Sequence, residues 1–208
     1  MNIKEAYNQW SAQYDTNENK TRDLEGVAMR SVLKDIESNN CLEIGCGTGK
    51  NTRWLAQRAK TLVAVDFSEQ MLEKAKLKNE HQNVQFVQAD IQQPWHFVTQ
   101  KVNFVTFSLV LEHIENLEAI FEKLALCTVD GAYIYIGELH PFKQYNGSKA
   151  RFETENGVHV LTCFTHHISE FTNIALRFGF KIVTIQEFFD DNDASTIPRI
   201  MCLLLQKN

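Results

Sequence analysis

Proline and glycine are scarce in this chain of 208 residues, with 3 and 9 respectively, which excludes collagen-like and low-complexity architectures. Cysteine is too sparse and too scattered to staple a fold. Cys41, Cys46, Cys127, Cys163 and Cys202 are odd in number and none forms a C-x-x-C pair, which argues against a disulfide framework and against a zinc site. No metal-ligand set is expected. No apolar stretch approaches the roughly 20 residues of a membrane span. Met1 to Tyr14 lacks the apolar core of a secretion signal. There is also no dense run of Lys or Arg: 21 basic residues face 26 acidic ones, a net charge of −5. That balance argues against a groove for a nucleic-acid backbone. The expectation is a cytoplasmic protein with neither nucleic acid nor membrane as a partner.

What is present is ordinary for a globular chain, with 44% hydrophobic and 23% charged residues. The length fits one domain over residues 1–208, burying roughly 70% of its extended surface. Along it, short apolar β-type runs alternate with helical stretches. Strands are expected at Cys41 to Ile44, Thr61 to Val65, Val84 to Gln88, within Lys101 to Leu111, and at Gly131 to Glu138. Helices are expected at Lys50 to Ala59, Ser68 to Asn79 with Ser68 as N-cap, Glu112 to Cys127, and His167 to Phe178 with Gly179 as the stop. Between them, His140 to Phe164 shows no clear helix and a possible hairpin around Asn156-Gly157. Phe180 to Phe188 and Ile200 to Leu205 end the chain. The stretch between them is too short for a crossover, so they should pair antiparallel. The alternation implies an α/β, doubly wound, mainly parallel sheet.

The sharpest signal is Glu43-Ile44-Gly45-Cys46-Gly47-Thr48-Gly49-Lys50, where the first strand meets the first helix. Glycines there permit a tight turn and let a ligand approach the backbone. A P-loop reading fails, because Asn51 follows Lys50 and Ile44 stands where its first glycine is needed. A dinucleotide fingerprint is imperfect, because Lys50 stands where its third glycine is needed. An acid followed by G-x-G-x-G remains. Asp66 ends the second strand, 21 positions after Gly45, where a carboxylate can accept ribose hydroxyls. Gln88-Ala89-Asp90-Ile91 follows the third strand, and Phe107-Ser108-Leu109-Val110-Leu111-Glu112-His113 ends the fourth. Near the N-terminus, Tyr7, Trp10 and Tyr14 share one helical face in the pattern Y-x-x-W-x-x-x-Y-D.

Together these pieces resemble the class I S-adenosylmethionine (SAM)-dependent methyltransferases, from about Tyr7 to Ile136. The resemblance implies a Rossmann-like, seven-stranded sheet with an antiparallel C-terminal strand. It also implies an N-terminal helical lid over about residues 1–30 and a small cap insertion over about 140–165. SAM is the implied cofactor and S-adenosylhomocysteine the product. Glu43, Gly45, Cys46, Gly47 and Gly49 would form its first binding segment. Asp66 would hold the ribose, Phe67 and Met71 would wall the adenine, and Asp90 would accept the adenine amine beside Ile91. Ser108 and Leu109 would lie near the methyl. Tyr14 would face the sulfonium and Arg22 the methionyl carboxylate; an amphipathic helix packed on the sheet is the plainer alternative for this segment.

The acceptor is expected to be a small molecule with an oxygen or nitrogen nucleophile. The N-P-P-Y-like and Pro-Cys motifs of nucleic-acid enzymes are absent from the fourth-strand segment. A nucleophile of this kind must lose a proton, and His is the natural base near neutral pH. His140, just past the fifth strand, ranks first and His113 second; a histidine merely satisfied by backbone or solvent is the alternative for each. Lys143, Tyr145, Lys149, Arg151 and Phe152 give the cap a basic and aromatic mix suited to an anionic molecule. Rival readings are a SAM- or nucleotide-binding module without turnover, a dinucleotide oxidoreductase, and methylation of protein or RNA. Neither the oligomeric state nor the acceptor is legible.

Overall fold

The computed structural model describes residues 3–154 and 157–208. Two helices come first, α1 (Ile3–Trp10) and α2 (Lys20–Leu33). The alternating part follows: β1 (Asn40–Ile44), α3 (Thr52–Ala56), β2 (Thr61–Asp66), α4 (Glu69–Lys78), β3 (Val84–Gln88), β4 (Val102–Ser108), α5 (Leu117–Cys127) and β5 (Thr128–Leu139). Next come a short helix, α6 (Pro141–Tyr145), and a hairpin, β6 (Arg151–Thr154) with β7 (Gly157–Val160). The chain ends with α7 (Ile168–Arg177), β8 (Phe180–Phe188) and β9 (Ile200–Lys207).

Seven strands form one sheet in the order β3-β2-β1-β4-β5-β9-β8. All neighbours are parallel except that β9 runs antiparallel to both β5 and β8. Successive side chains of a strand point to opposite faces, so each strand feeds two cores. Leu42, Val105, Phe107, Ile134, Ile136 and Leu203 pack on one face with α5 and α7. Cys41, Phe104, Tyr135, Cys202 and Leu204 pack on the other with α2 and α3. Strand order reverses between β1 and β4, and at such a switch point the helices that follow diverge and leave a crevice at the strand ends.

Several boundaries differ from expectation. The helix expected from Glu112 starts instead at Leu117, because the Asn116 side chain accepts from Ala119 N at 3.2 Å and caps it. Leu111–His113 form a separate 3-10 turn. The helix after β1 is shorter than expected, Thr52–Ala56, while β5 begins three residues earlier, at Thr128, and β9 runs on to Lys207. The stretch expected to lack a helix holds α6, with Pro141 at its first position and the His140 side chain accepting from Phe142 N. The hairpin forms, but Asn156 in its expected turn lies outside the described residues. Ser68 caps α4 by accepting from Met71 N at 3.2 Å, and Gly179 takes φ +82° just past α7.

Candidate functional site

The turn after β1 bends back over the end of β2. Gly45 takes φ +73°, and a Cβ there would fall 2.1 Å from Val110 Cγ2, so no side chain fits. The turn is pinned from below by Asp66, whose carboxylate accepts from Gly47 N and from Ser68 N, both at 2.8 Å. Asp66 lies at the C-terminal end of β2, and burial raises its pKa. Leu109, the first residue after β4, is left-handed with φ +57° and donates its N–H to Gly137 O. A non-glycine residue held in that region is strained, and such strain gathers at functional sites.

These turns enclose a cleft at the C-terminal ends of the strands. Of the residues expected to touch cofactor, Tyr14, Gly45, Gly47, Asp66 and Phe67 line it. So do Met71, Asp90, Ile91, Ser108 and Leu109. Asp90 sits beyond β3 with Oδ1 accepting from Gln92 N at 2.9 Å. A second, smaller recess shares Tyr14, Gly45, Gly47, Ser108 and Leu109 with the cleft, and adds Arg22, Glu43 and Cys46. Arg22 hangs over Tyr14, with Cζ 5.0 Å from the ring, and donates to the carbonyls of Tyr14 and Asn17. Gly49 lines neither space. Its φ is +81°, and a Cβ there would come within 3.2 Å of the Ala75 backbone, so it lets the turn pack against α4.

The two candidate bases are placed very differently. His140 is fully buried, and the structure does not bring it to the cleft. Its Nδ1 accepts from Phe142 N, so Nε2 carries the proton and donates to Glu187 Oε1 at 2.9 Å. Both nitrogens are committed, and burial pushes its pKa down. His113 lines the cleft. Its Nδ1 stands 3.0 Å from Thr162 O, a carbonyl that can only accept, so Nδ1 bears the proton. In the neutral imidazole Nε2 then holds the lone pair and takes the Tyr7 hydroxyl at 2.8 Å. Burial raises the Tyr7 phenol well above its ordinary pKa, so it stays a donor. His166 is bonded to Glu170 and to Ile114 O, and in the cap Lys143 pairs with Asp190 at 3.7 Å.

Sequence reasoning missed Glu25. It is 2% exposed, lines the second recess, and accepts from Asn51 Nδ2 at 3.2 Å and from the Tyr135 hydroxyl at 3.1 Å. Burial raises its pKa to about 7. Gly137 makes room for it: a Cβ there would lie 2.7 Å from Glu25 Oε1 and 2.5 Å from the Tyr135 hydroxyl. Glu43 is also buried, with Oε2 unpartnered among the described residues and a pKa raised to about 8. Glu138, missed as well, accepts from Val110 N and Leu111 N and so fixes the turn after β4.

A doubly wound sheet with a ligand cleft at its switch point defines a class I, Rossmann-like domain. Residues 42–136 match the family model for a methyltransferase domain. It is 31% identical over 126 residues to Phosphoethanolamine N-methyltransferase 3 of Arabidopsis thaliana, covering 59% of this chain and 26% of that protein. The chain spans between a quarter and a third of the length of the first curated relatives it matches, 25% to 31%. In shape it is similar to an S-adenosylmethionine dependent methyltransferase from Mesorhizobium loti, with a TM-score of 0.73, 17% identity, and 88% of this chain and 98% of that one covered. It is similar also to the N-methyltransferase NodS from Bradyrhizobium japonicum WM9 in complex with S-adenosyl-L-homocysteine, with a TM-score of 0.74, 14% identity, and coverage of 100% and 99%. No helix among the described residues is long and apolar enough to cross a membrane.

Proposed function

We propose that this chain is a SAM-dependent methyltransferase acting on a small-molecule acceptor through an oxygen or nitrogen atom. The observation that carries this reading is the joining of two features in one cleft: an Asp66-pinned glycine turn and a His113 whose Nε2 faces the Tyr7 hydroxyl at 2.8 Å. SAM supplies, when bound, a methyl group already activated on a sulfonium, so the protein's task is positioning and exclusion of water. Each Asp66 oxygen keeps a lone pair for a ribose hydroxyl. Asp90 accepts the adenine amine, between Ile91 and the wall made by Phe67 and Met71. Arg22 pairs with the methionyl carboxylate, and Glu25 and Glu43 face its ammonium. The acceptor rests its proton on the Tyr7 oxygen; Tyr7 passes its own proton to His113 Nε2 as the methyl moves. His140 keeps only a structural part in this scheme. All five cysteines are free, which suits a reducing, cytoplasmic setting.

The test joins calorimetry with a product assay. SAM is expected to bind, and S-adenosylhomocysteine to form with one of a panel of amines, alcohols and acids that includes phosphoethanolamine. Tyr7→Phe and His113→Gln are expected to lower kcat by about 10²–10⁴-fold, the ordinary worth of a general base, with SAM affinity changed only a few-fold. Absence of SAM binding, or binding of a nicotinamide dinucleotide in its place, overturns the reading. Unaltered turnover in both variants removes the relay.

A further inference from the structure

Three side chains of different chemistry converge beside the cleft. A carboxylate oxygen of Glu112, a ring nitrogen of His113 and the thiol of Cys163 all lie within 4.8 Å of one another. Two segments distant in sequence bring them together. Glu112 and His113 occupy the 3-10 turn beyond β4, and Cys163 lies between β7 and α7. Phe164 N donates to Glu112 O at 2.7 Å, and His113 Nδ1 donates to Thr162 O at 3.0 Å, so the backbone on both sides of Cys163 is tied to this turn.

The cluster has unmet electrostatic needs. Glu112 is 7% exposed, and its Oε2 has no hydrogen-bond partner among the described residues. Neither Glu112 nor its neighbour Glu138, whose Oε2 is also unpartnered, forms an ion pair with a Lys or Arg among the described residues. The Cys163 thiol lies half-buried beside the Glu112 carboxylate. The imidazole is already set for coordination. A metal-bound His usually donates its other ring N–H to a carbonyl or carboxylate, and His113 does this to Thr162 O, leaving Nε2 with its lone pair 4.0 Å from Glu112 Oε1.

We propose that Glu112, His113 and Cys163 form a zinc-type transition-metal site, and that an ion there competes with Tyr7 for His113 Nε2 and so stops methyl transfer. One oxygen, one nitrogen and one sulfur donor suit zinc and its borderline-soft relatives, whereas magnesium and calcium want oxygen alone. Three protein ligands with a fourth position left to water is a common zinc arrangement. Bonds of about 2.0–2.3 Å require the three donors to draw together by roughly 1 Å. Binding replaces the Cys163 thiol proton, which leaves to solvent, and the thiolate becomes a ligand. The pattern was hidden in sequence because Glu112 and His113 are adjacent while Cys163 arrives from the far side of the hairpin. The inhibitory half of this proposal rests on the methyltransferase reading; the binding half does not.

Cobalt(II) is the probe, added to the purified chain. The expected result is a thiolate-to-cobalt absorption band that saturates at a single equivalent and is displaced by zinc. Cys163→Ser is expected to lose the band, and Glu112→Gln to weaken zinc binding by at least about tenfold. In turnover assays zinc is expected to inhibit the wild type and a chelator to restore it, while Cys163→Ser turns over without metal and resists zinc. No band, or the same band in Cys163→Ser, overturns the site, the latter placing the ion on another cysteine. A band without zinc inhibition overturns the competition with Tyr7. If no acceptor is turned over at all, the cobalt titration still decides the site on its own.

Discussion

A buried carboxylate without a cation lies in a conflict that a ligand can resolve. Glu25 is bonded only by neutral donors, and its pKa is raised to about 7 chiefly because burial disfavours the charge. Arg22 stands in the same recess. The pair makes a receptor for a zwitterion, the guanidinium for its carboxylate and Glu25 for its ammonium. Glu25→Gln is therefore expected to weaken SAM binding by about 10- to 100-fold, the worth of a hydrogen bond to a charged group, while the melting temperature holds or rises. The ammonium selects the ionised form, so wild-type affinity is expected to increase as pH rises from about 6 to about 7.5, below the range where an α-amino group itself deprotonates. The variant should lack that increase. Calorimetry across this range decides it, and coincident profiles for the two proteins would refute the assignment. The contrast with Asp66 explains what was legible. Asp66 follows a strand and precedes a capped helix, so a local pattern exposes it. Glu25 depends on Tyr135, 110 positions away. His140 and His113 both follow strand ends, and distant partners separate their roles, Glu187 from β8 for the one and Tyr7 from α1 for the other.

Helix α1 is held at the cleft by Asn8, whose Oδ1 accepts from the Ser68 hydroxyl at 2.6 Å, and by an aromatic clasp. Trp10 stacks on Phe152 of β6 with ring centroids 5.4 Å apart, and Tyr7 stacks on Trp10 at 5.6 Å. These rings belong to a small cluster with Ala6 and Leu161, separate from the two cores of the sheet. The hairpin thus helps to set the position of Tyr7 without holding up the fold. Phe152→Ala is expected to speed hydrogen exchange across Ile3–Trp10 and to lower kcat at least several-fold, with exchange in β1 and β4 unchanged and only a modest loss in melting temperature. Slower exchange in α1, or protection lost throughout the sheet, would contradict a local clasp. The aromatic spacing of this helix was readable, since one face repeats with the helical period. Its hairpin partner was not, because periodicity carries no information on distant contacts. The same limit explains the misplaced start of α5. Leu111, Ile114 and Leu117 keep helical spacing straight across the break, and only the Asn116 cap ends the run.

Across the whole molecule, strand direction followed from the alternation of elements and the short β8–β9 connection, since parallel strands need long crossovers and antiparallel ones do not. Glu25 and Glu43 share the recess beneath the glycine turn, where burial raises both and the Glu25 charge adds to the rise at Glu43. That has a consequence for stability. Both groups hold protons more tightly folded than unfolded, with pKa values of about 7 and about 8 against an ordinary 4.5. Between the ordinary and the raised values the folded state binds more protons than the unfolded chain, so unfolding free energy falls as pH rises. The ligand-free protein is therefore expected to be most stable near pH 5 and to lose on the order of a few kcal/mol by about pH 8. Below the optimum the trend reverses. Asp190, whose pKa the Arg199 hydrogen bond lowers, loses its contribution as it protonates. Urea midpoints measured from about pH 5 to about pH 9 test this, with Glu43→Gln expected to be more stable than wild type at the alkaline end and to follow a shallower slope. Saturating SAM brings an ammonium to the same two carboxylates and is expected to reduce the slope in the wild type. A ligand-free protein whose stability climbs from pH 5 to pH 8 would show that these carboxylates are solvated or paired in solution, and would remove the electrostatic basis for assigning the ammonium to them.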